Sequence, residues 1–287
     1  WTVSDAPSEP NYQKVVTASV HSCALDDDGS IDCWGDPDVI ADVPAGSYED
    51  IDVAQTHGCA IDEDGAIDCW GDIDSDDDHG QIDDAPITTE WSKIVAGNKT
   101  NCALDDDRYP TCWGYDGYDV VSDAPTAELK TVSVDPQGGR AACGLRYCDP
   151  FDADCDDEEG EIVCWGSDSW DVISEAPSGS GYVDVSVGRL KACALDSNGE
   201  IECWGTLSAL DTYYSHFDVG FTEISVAYSH NCVLHETGEI ECWGSNGYHE
   251  QLHKPETSDA DGGDIICSID TESTDDDGDD DINYSFS

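Results

Sequence analysis

Cysteines come in pairs ten positions apart: Cys23 with Cys33, Cys59 with Cys69, Cys102 with Cys112, Cys193 with Cys203 and Cys232 with Cys242. Two chemistries suit thiols in such a series, zinc ligation and disulfide formation. Zinc sites draw on close CxxC pairs, and none occurs here, so the spacing favours disulfides and an oxidising compartment. A row of buried thiols is the alternative. In the fourth copy Cys143 and Cys164 stand further apart and enclose a second pair, Cys148 and Cys155, while Cys267 is left unpaired.

His21, His57 and His230 share one place, two residues before the first cysteine of a copy. A histidine that recurs with a repeat reads as a structural hydrogen-bond partner rather than a catalytic base or metal ligand. Asp74, Asp76 and Asp78 alternate ahead of Gly80, and Asp152, Asp154 and Asp156 alternate within the long fourth copy. Hard cations take several oxygen ligands from such loops, so both stretches are candidate Ca2+ sites, although neither has EF-hand spacing and alternating Asp also arises by chance in so acidic a chain. No GxSxG, HExxH or phosphate-loop pattern occurs, and spacing singles out no acid/base pair from so many carboxylates. The expectation is a protein that is not an enzyme. Asn98-Lys99-Thr100 and Asn283-Tyr284-Ser285 have the form of glycosylation acceptors.

The elements that carry these residues repeat with them. HSCALDDDGSIDCWG (21–35) returns as HGCAIDEDGAIDCWG (57–71), TNCALDDDRYPTCWG (100–114), KACALDSNGEIECWG (191–205) and HNCVLHETGEIECWG (230–244). An aromatic residue stands eleven positions before the first cysteine at Tyr12, Tyr48, Trp91, Tyr182 and Phe221. Each unit reads as a Pro-bounded loop, a strand, a second strand at CAL, an Asp-Gly turn and a third strand ending in CWG. Glycine supplies the positive φ that a tight hairpin needs. The hairpin then sets the two cysteines of a pair opposite each other. A degenerate seventh unit begins near Cys267, either with Tyr284 in the place of its second cysteine or with Ile265 and Ile266 in the first strand of a truncated unit.

Charge narrows the partners. Sixty-six Asp and Glu face 10 Lys and Arg, a formal net charge of −56. Nucleic acid and anionic membranes both need a basic face, so neither is an expected partner. Such acidity suits a solvated, halophilic surface. No apolar run is long enough to span a membrane. The opening at Trp1, without an initiator Met, is read as a processed, secreted form.

As a set, repeats of the form VxVAxxHxCALxxDGxIxCWG followed by Ala-Pro resemble the regulator of chromosome condensation (RCC1) family, in a secreted, Cys-paired type. The resemblance covers nearly all of the chain. It implies an all-β, seven-bladed β-propeller of antiparallel, four-stranded blades, a single domain over 1–287, with the ring closed by the N- and C-terminal segments. It also implies a platform for proteins. The expected function is an extracellular protein-interaction or structural module, binding a protein partner or copies of itself. The alternatives are a self-assembling subunit of a filament or surface layer, and a propeller lyase or hydrolase with an axial cation.

Overall fold

The computed structural model describes residues 11–71, 79–147, 160–207, 220–227, 230–244, 269–270 and 283–284, which form strands and turns with no helix. Each copy of the repeat folds as an antiparallel sheet of three strands in sequence order. Sheet 1 holds β1 (Tyr12–Thr17), β2 (His21–Asp26) and β3 (Ile31–Gly35); sheet 2 holds β4 (Tyr48–Val53), β5 (His57–Asp62) and β6 (Ile67–Gly71). Sheet 3 holds β7 (Trp91–Ala96), β8 (Thr100–Asp105) and β9 (Pro110–Gly114); sheet 4 holds β10 (Leu129–Val134), β11 (Ala141–Arg146) and β12 (Ile162–Gly166). Sheet 5 holds β13 (Tyr182–Val187), β14 (Lys191–Asp196) and β15 (Ile201–Gly205); sheet 6 holds β16 (Phe221–Val226), β17 (His230–His235) and β18 (Ile240–Gly244).

The Asp-Gly hairpin has a specific form. In sheet 1 the Gly29 N–H donates to the Asp26 carbonyl at 3.2 Å and the Asp26 N–H to the Ser30 carbonyl at 3.0 Å. Only the glycine takes positive φ, at 80°, so the loop is a turn followed by one left-handed residue rather than a two-residue hairpin. Sheet 3 has no glycine at this place, and Arg108 takes φ 69° instead. The hairpin sets Cys23 against Cys33 and Cys59 against Cys69, with Cα atoms 4.1 Å apart in both pairs. Disulfides also join Cys102–Cys112, Cys143–Cys164, Cys193–Cys203 and Cys232–Cys242.

Two expectations change. The resemblance implies four strands per blade, whereas the described sheets have three. Where a fourth strand would run, the chain after CWG coils into one turn, closed by Asp123 N–H to Asp119 carbonyl at 3.0 Å and Glu175 N–H to Asp171 carbonyl at 3.1 Å. The Oδ1 atoms of Asp116 and Asp168 each accept two backbone N–H groups of that coil, and a proline that cannot donate follows it. The second change is register. β19 (Ile269–Asp270) and β20 (Asn283–Tyr284) pair Tyr284 with Ile269, not with Cys267, which lies outside the described residues.

Sheets pack face to face, each first strand lying against the first strand of the next sheet. The core sits between them. One cluster joins Cys23 and Leu25 of sheet 1 to Tyr48, Ile51, Val53, Ala60 and Trp70 of sheet 2. The same arrangement recurs through Cys143 and Leu145 against Val185, Val187 and Trp204. Burying a side chain such as Ile51, at 0% exposure, contributes about 1.5–3 kcal/mol.

Candidate functional site

Three zones of the sheets carry polar side chains: the hairpin edge, the first strands and the opposite edge. At the hairpin edge the aspartate that ends CALD is committed to its own turn. Asp26 Oδ1 accepts the N–H groups of Asp28 at 3.0 Å and Ser30 at 2.7 Å. Asp62 and Asp196 do the same for their turns. For Asp196 burial pushes the pKa up, but the turn's hydrogen bonds outweigh it and hold the carboxyl below its ordinary value. The residues after this aspartate point outward: Asp27 and Asp28, Glu63 and Asp64, Asp106 and Asp107 are all exposed. Between sheets 1 and 2 a cavity of about 260 Å³ opens at this edge, lined by Asp26, Asp27, Asp28, Glu49, Glu63 and Tyr48 among others. The hydroxyl of Ser47 lies 2.8 Å from Glu63 Oε1 at its wall.

Along the first strands, side chains do the work that backbone ladders do elsewhere. Asp50 Oδ2 accepts the Ile94 N–H at 2.9 Å and Asp52 Oδ2 accepts the Ala96 N–H at 2.8 Å. Asp184 Oδ2 accepts from Ile224, and Ser186 Oγ from Val226, both at 2.9 Å. These bonds cross from one sheet to the next, so the carboxylates fasten neighbours rather than converge on a common point. Burial raises the pKa of Asp52 to about 6, against the pull of the Ala96 N–H and Lys14. Asp184 is raised for the same reason. Lys14 Nζ lies 2.6 Å from Asp50 Oδ1, and Lys93 Nζ donates to Thr131 Oγ1 at 3.0 Å.

At the opposite edge His57 lies 2.8 Å from Asn101 Oδ1 through Nε2, which therefore carries the proton. Asn101 Nδ2 donates to the Gln81 carbonyl at 2.8 Å, and Trp113 Nε1 donates to the same oxygen at 3.0 Å. Burial lowers the pKa of His57. His21 falls to about 4, first through burial and then through the nearby His57. Neither ring is placed to work as an acid or base on a solute: His21 is 3% and His57 0% exposed.

The remaining expected residues distribute as follows. His230 opens β17, and nothing further is described for its side chain. His235 stands where CALD has aspartate and does that residue's job, its Nδ1 accepting the Thr237 N–H at 3.2 Å. Asn98 Nδ2 donates to the Gln137 carbonyl at 2.8 Å, and Thr100 of the same sequon is buried with its hydroxyl on the Tyr115 carbonyl. Asp74, Asp76, Asp78, Asp152, Asp154, Asp156, Cys148 and Cys155 lie outside the described residues, and Asn283 is described only as a strand residue. Among the described residues no group of three or more His, Cys, Asp or Glu is arranged to hold a metal ion.

Sequence reasoning missed a cluster around His79. Lys99 Nζ lies 3.2 Å from His79 Nε2, the His79 ring stands 4.7 Å from Tyr115, and Arg140 sits 4.6 Å over Tyr118. His79 follows an acidic run and has no place in the repeat, so no periodic signal marks it.

A family model for the RCC1 repeat matches residues 221–250, the segment that contains sheet 6. No curated protein matches the sequence. Among solved structures the chain is similar to the CRINKLY WD40 ectodomain of the Arabidopsis thaliana receptor kinase ACR4, at 19% identity and TM-score 0.60, covering 81% of this chain and 79% of that one. The ectodomain of the Physcomitrella patens receptor kinase CR4 is similar at 22% identity and TM-score 0.60, over 79% of this chain and 60% of that one. Yeast RCC1 (Prp20), in a structure bound to Kap60, is similar at 12% identity and TM-score 0.61, over 82% of this chain and 70% of that one. The chain is thus an RCC1-like protein in fold: all-β, with propeller blades as its sheets.

Proposed function

We propose that this RCC1-like chain is a secreted, non-catalytic propeller of seven blades, closed into a ring by its terminal segments, that presents its hairpin edge to a protein partner. One observation carries the reading. The side chains with chemical potential in the repeat (His57, Asp50, Asp52, Asp184) are spent on joining sheet to sheet, while the exposed carboxylates of successive hairpins stand in a row along one edge. A stapled scaffold with a displayed edge suits recognition, because a rigid surface loses little freedom on binding. The likeness to two receptor-kinase ectodomains and the disulfides support an extracellular setting. Yeast RCC1, seen with Kap60, supports a protein as the partner.

The acidic row and the cavity between sheets 1 and 2 select a partner segment bearing Lys or Arg. The test is affinity capture from the extracellular fraction with the native chain and with an Asp27→Lys, Asp28→Lys, Glu63→Lys, Asp64→Lys variant. A protein retained by the native chain and lost by the variant is expected. Equal retention by both would set the hairpin edge aside. Calcium at the two Asp-alternating loops belongs to the same reading, and a Ca2+-dependent rise in Tm that disappears with Asp74→Asn and Asp76→Asn is the corresponding check.

A further inference from the structure

The hairpin of sheet 3 departs from the other five. Their left-handed turn residue is glycine, with φ of 80° at Gly29, 79° at Gly65, 72° at Gly160, 78° at Gly199 and 87° at Gly238, whereas sheet 3 places Arg108 there at 69°. An L side chain is costly in this region, and arginine lacks the short polar group that lets asparagine or aspartate tolerate it. The surroundings differ as well. A Cβ at Gly29 would run into Ser47 Oγ, one at Gly160 into the Tyr182 carbonyl and one at Gly199 into the Gly220 nitrogen. The sheet 3–sheet 4 contact thus admits a side chain where those three contacts exclude one.

The side chain has a definite seat. The Arg108 guanidinium lies 4.1 Å from the centre of the Tyr147 ring, and among the described residues it makes no ion pair. Arg146, beside Tyr147, is by contrast paired with Glu161 at 2.9 Å. Tyr109 is 39% exposed, with its hydroxyl donating to Glu128 Oε1 at 3.1 Å and its N–H to Asp105 Oδ1 at 2.8 Å. Backbone bonds fix the frame: the Leu129 N–H donates to the Arg108 carbonyl and the Tyr147 N–H to the Glu128 carbonyl, both at 2.9 Å. A guanidinium over an aromatic ring keeps the N–H groups of its edge for a partner, and a carboxylate matches two of them at once. Arginine and tyrosine are also the residue types that anchor protein interfaces.

We propose that Arg108, seated on Tyr147 and flanked by Tyr109, is the anchor of the hairpin edge, and that it takes the carboxylate of one Asp or Glu in a partner segment otherwise rich in Lys or Arg. The inference rests on the hairpin-edge reading given above and names the central contact within it. Asp106 and Asp107 are exposed next to Arg108. The edge as a whole therefore draws a basic segment, while at Arg108 an unpaired cation meets a single carboxylate and fixes the register. A phosphorylated side chain suits the place less, because its charge of nearly −2 would lie against Asp106 and Asp107. A residue held in a costly backbone conformation with its charge uncompensated fits a group whose counterpart arrives on binding.

The test titrates the full chain, by fluorescence anisotropy, with two synthetic lysine-rich peptides identical except for a central Glu in one and Gln in the other. Charge alone favours the Gln peptide on so acidic a chain, so the proposal predicts the opposite order: the Glu peptide bound roughly fivefold more tightly or better. Arg108→Gly should restore the charge order, and it places in sheet 3 the residue that the other five hairpins carry, so the turn keeps its form. Tyr147→Leu, which removes the seat, should shrink the preference for Glu. The Asp27→Lys, Asp28→Lys, Glu63→Lys, Asp64→Lys variant should weaken both peptides alike. Native binding of the two peptides that is equal, or tighter for Gln, would overturn the inference and leave the hairpin-edge reading standing. So would a Glu preference that survives Arg108→Gly, which would seat the carboxylate elsewhere. Binding of neither peptide would overturn the hairpin-edge reading and the inference with it.

Discussion

The indole N–H of Trp204 donates to the backbone carbonyl of Val172 at 2.6 Å. Val172 belongs to the coil that follows the tryptophan of sheet 4, so the bond ties the exit of one sheet to the tryptophan of the next. Trp165 makes the same bond to Val120 at 3.0 Å and Trp113 to Gln81 at 3.0 Å. Trp70 is the exception, its Nε1 buried without a partner. The residue opposite Trp70 is Gly58, where sheet 3 has Asn101. With no side chain there, the indole leans over the glycine, and a Cβ at Gly58 would come within 2.5 Å of Trp70 Cζ2.

A comparison of two phenylalanine variants follows. Trp204→Phe removes a donor and leaves the Val172 carbonyl unsatisfied in a buried setting, at a cost of about 1–3 kcal/mol beyond the change in packing. Trp70→Phe removes an N–H that has no partner, so only the packing change remains. Denaturant midpoints should fall further for Trp204→Phe than for Trp70→Phe; the reverse order would show that the indole bonds do not fasten the sheets.

Two glycines of positive φ, Gly29 in the hairpin of sheet 1 and Gly181 just before β13, offer a second contrast. Gly29 and Gly181 both have positive φ, 80° and 93°. A Cβ at Gly181 meets nothing within 4 Å, while one at Gly29 comes within 2.5 Å of Ser47 Oγ and 2.8 Å of the Tyr48 nitrogen in the next sheet. Gly181→Ala should cost about 1 kcal/mol for the backbone alone. Gly29→Ala adds the clash with sheet 2 and should cost at least twice that by thermal unfolding. Similar losses would mean that the sheet 1–sheet 2 contact yields readily.

How much of this was readable beforehand depends on whether a feature is local. The strands, the left-handed glycine after Asp28 and the apposition of Cys23 with Cys33 follow from alternation and turn chemistry within fifteen residues, and all were legible. What joins one sheet to the next was not. The bonds from Asp52 to the Ala96 N–H and from Asn101 to the Gln81 carbonyl link residues whose separation no pattern specifies. Resemblance also misled once, on the fourth strand, because the coil at Asp116 and Asp168 is held by two side-chain bonds that replace a ladder. His235 stands at the repeat's aspartate position and does that residue's work in the turn, an equivalence carried by function rather than by residue type.

The pH dependence divides between two groups of opposite sign. Burial, then the neighbouring His57, lowers His21 to about 4, so between pH 4 and 6.5 the unfolded chain binds more protons than the native one. Its contribution is intact above 6.5 and is lost as pH falls, by about 3 kcal/mol at most. Asp52, raised by burial to about 6, is the reverse case: the native state holds the extra proton between 3.8 and 6, and stability drains away as pH rises through that window. The slope of Tm against pH between 4 and 6 should therefore become more negative in His21→Asn and more positive in Asp52→Asn, each relative to the native chain. A change of the same sign in both would contradict the assignment.

Salt acts on the hairpin edge, where the carboxylates of Asp27, Asp28, Glu49 and Glu63 surround one cavity. Their mutual repulsion reaches about 10 Å at 0.1 M ionic strength and only about 3 Å at 1 M. With 66 acidic residues against 10 basic ones, added salt relieves more repulsion than attraction. Tm should rise steeply from low salt to roughly 1 M and then level off as the screening length falls to contact distance. Neutralising the cavity with Asp27→Asn, Asp28→Asn and Glu63→Gln should raise Tm at low salt and make no difference at 1 M. Gain at both salt levels would mean that these carboxylates destabilise the edge through desolvation, and loss at both that they hold it together by hydrogen bonds such as that from Ser47 to Glu63.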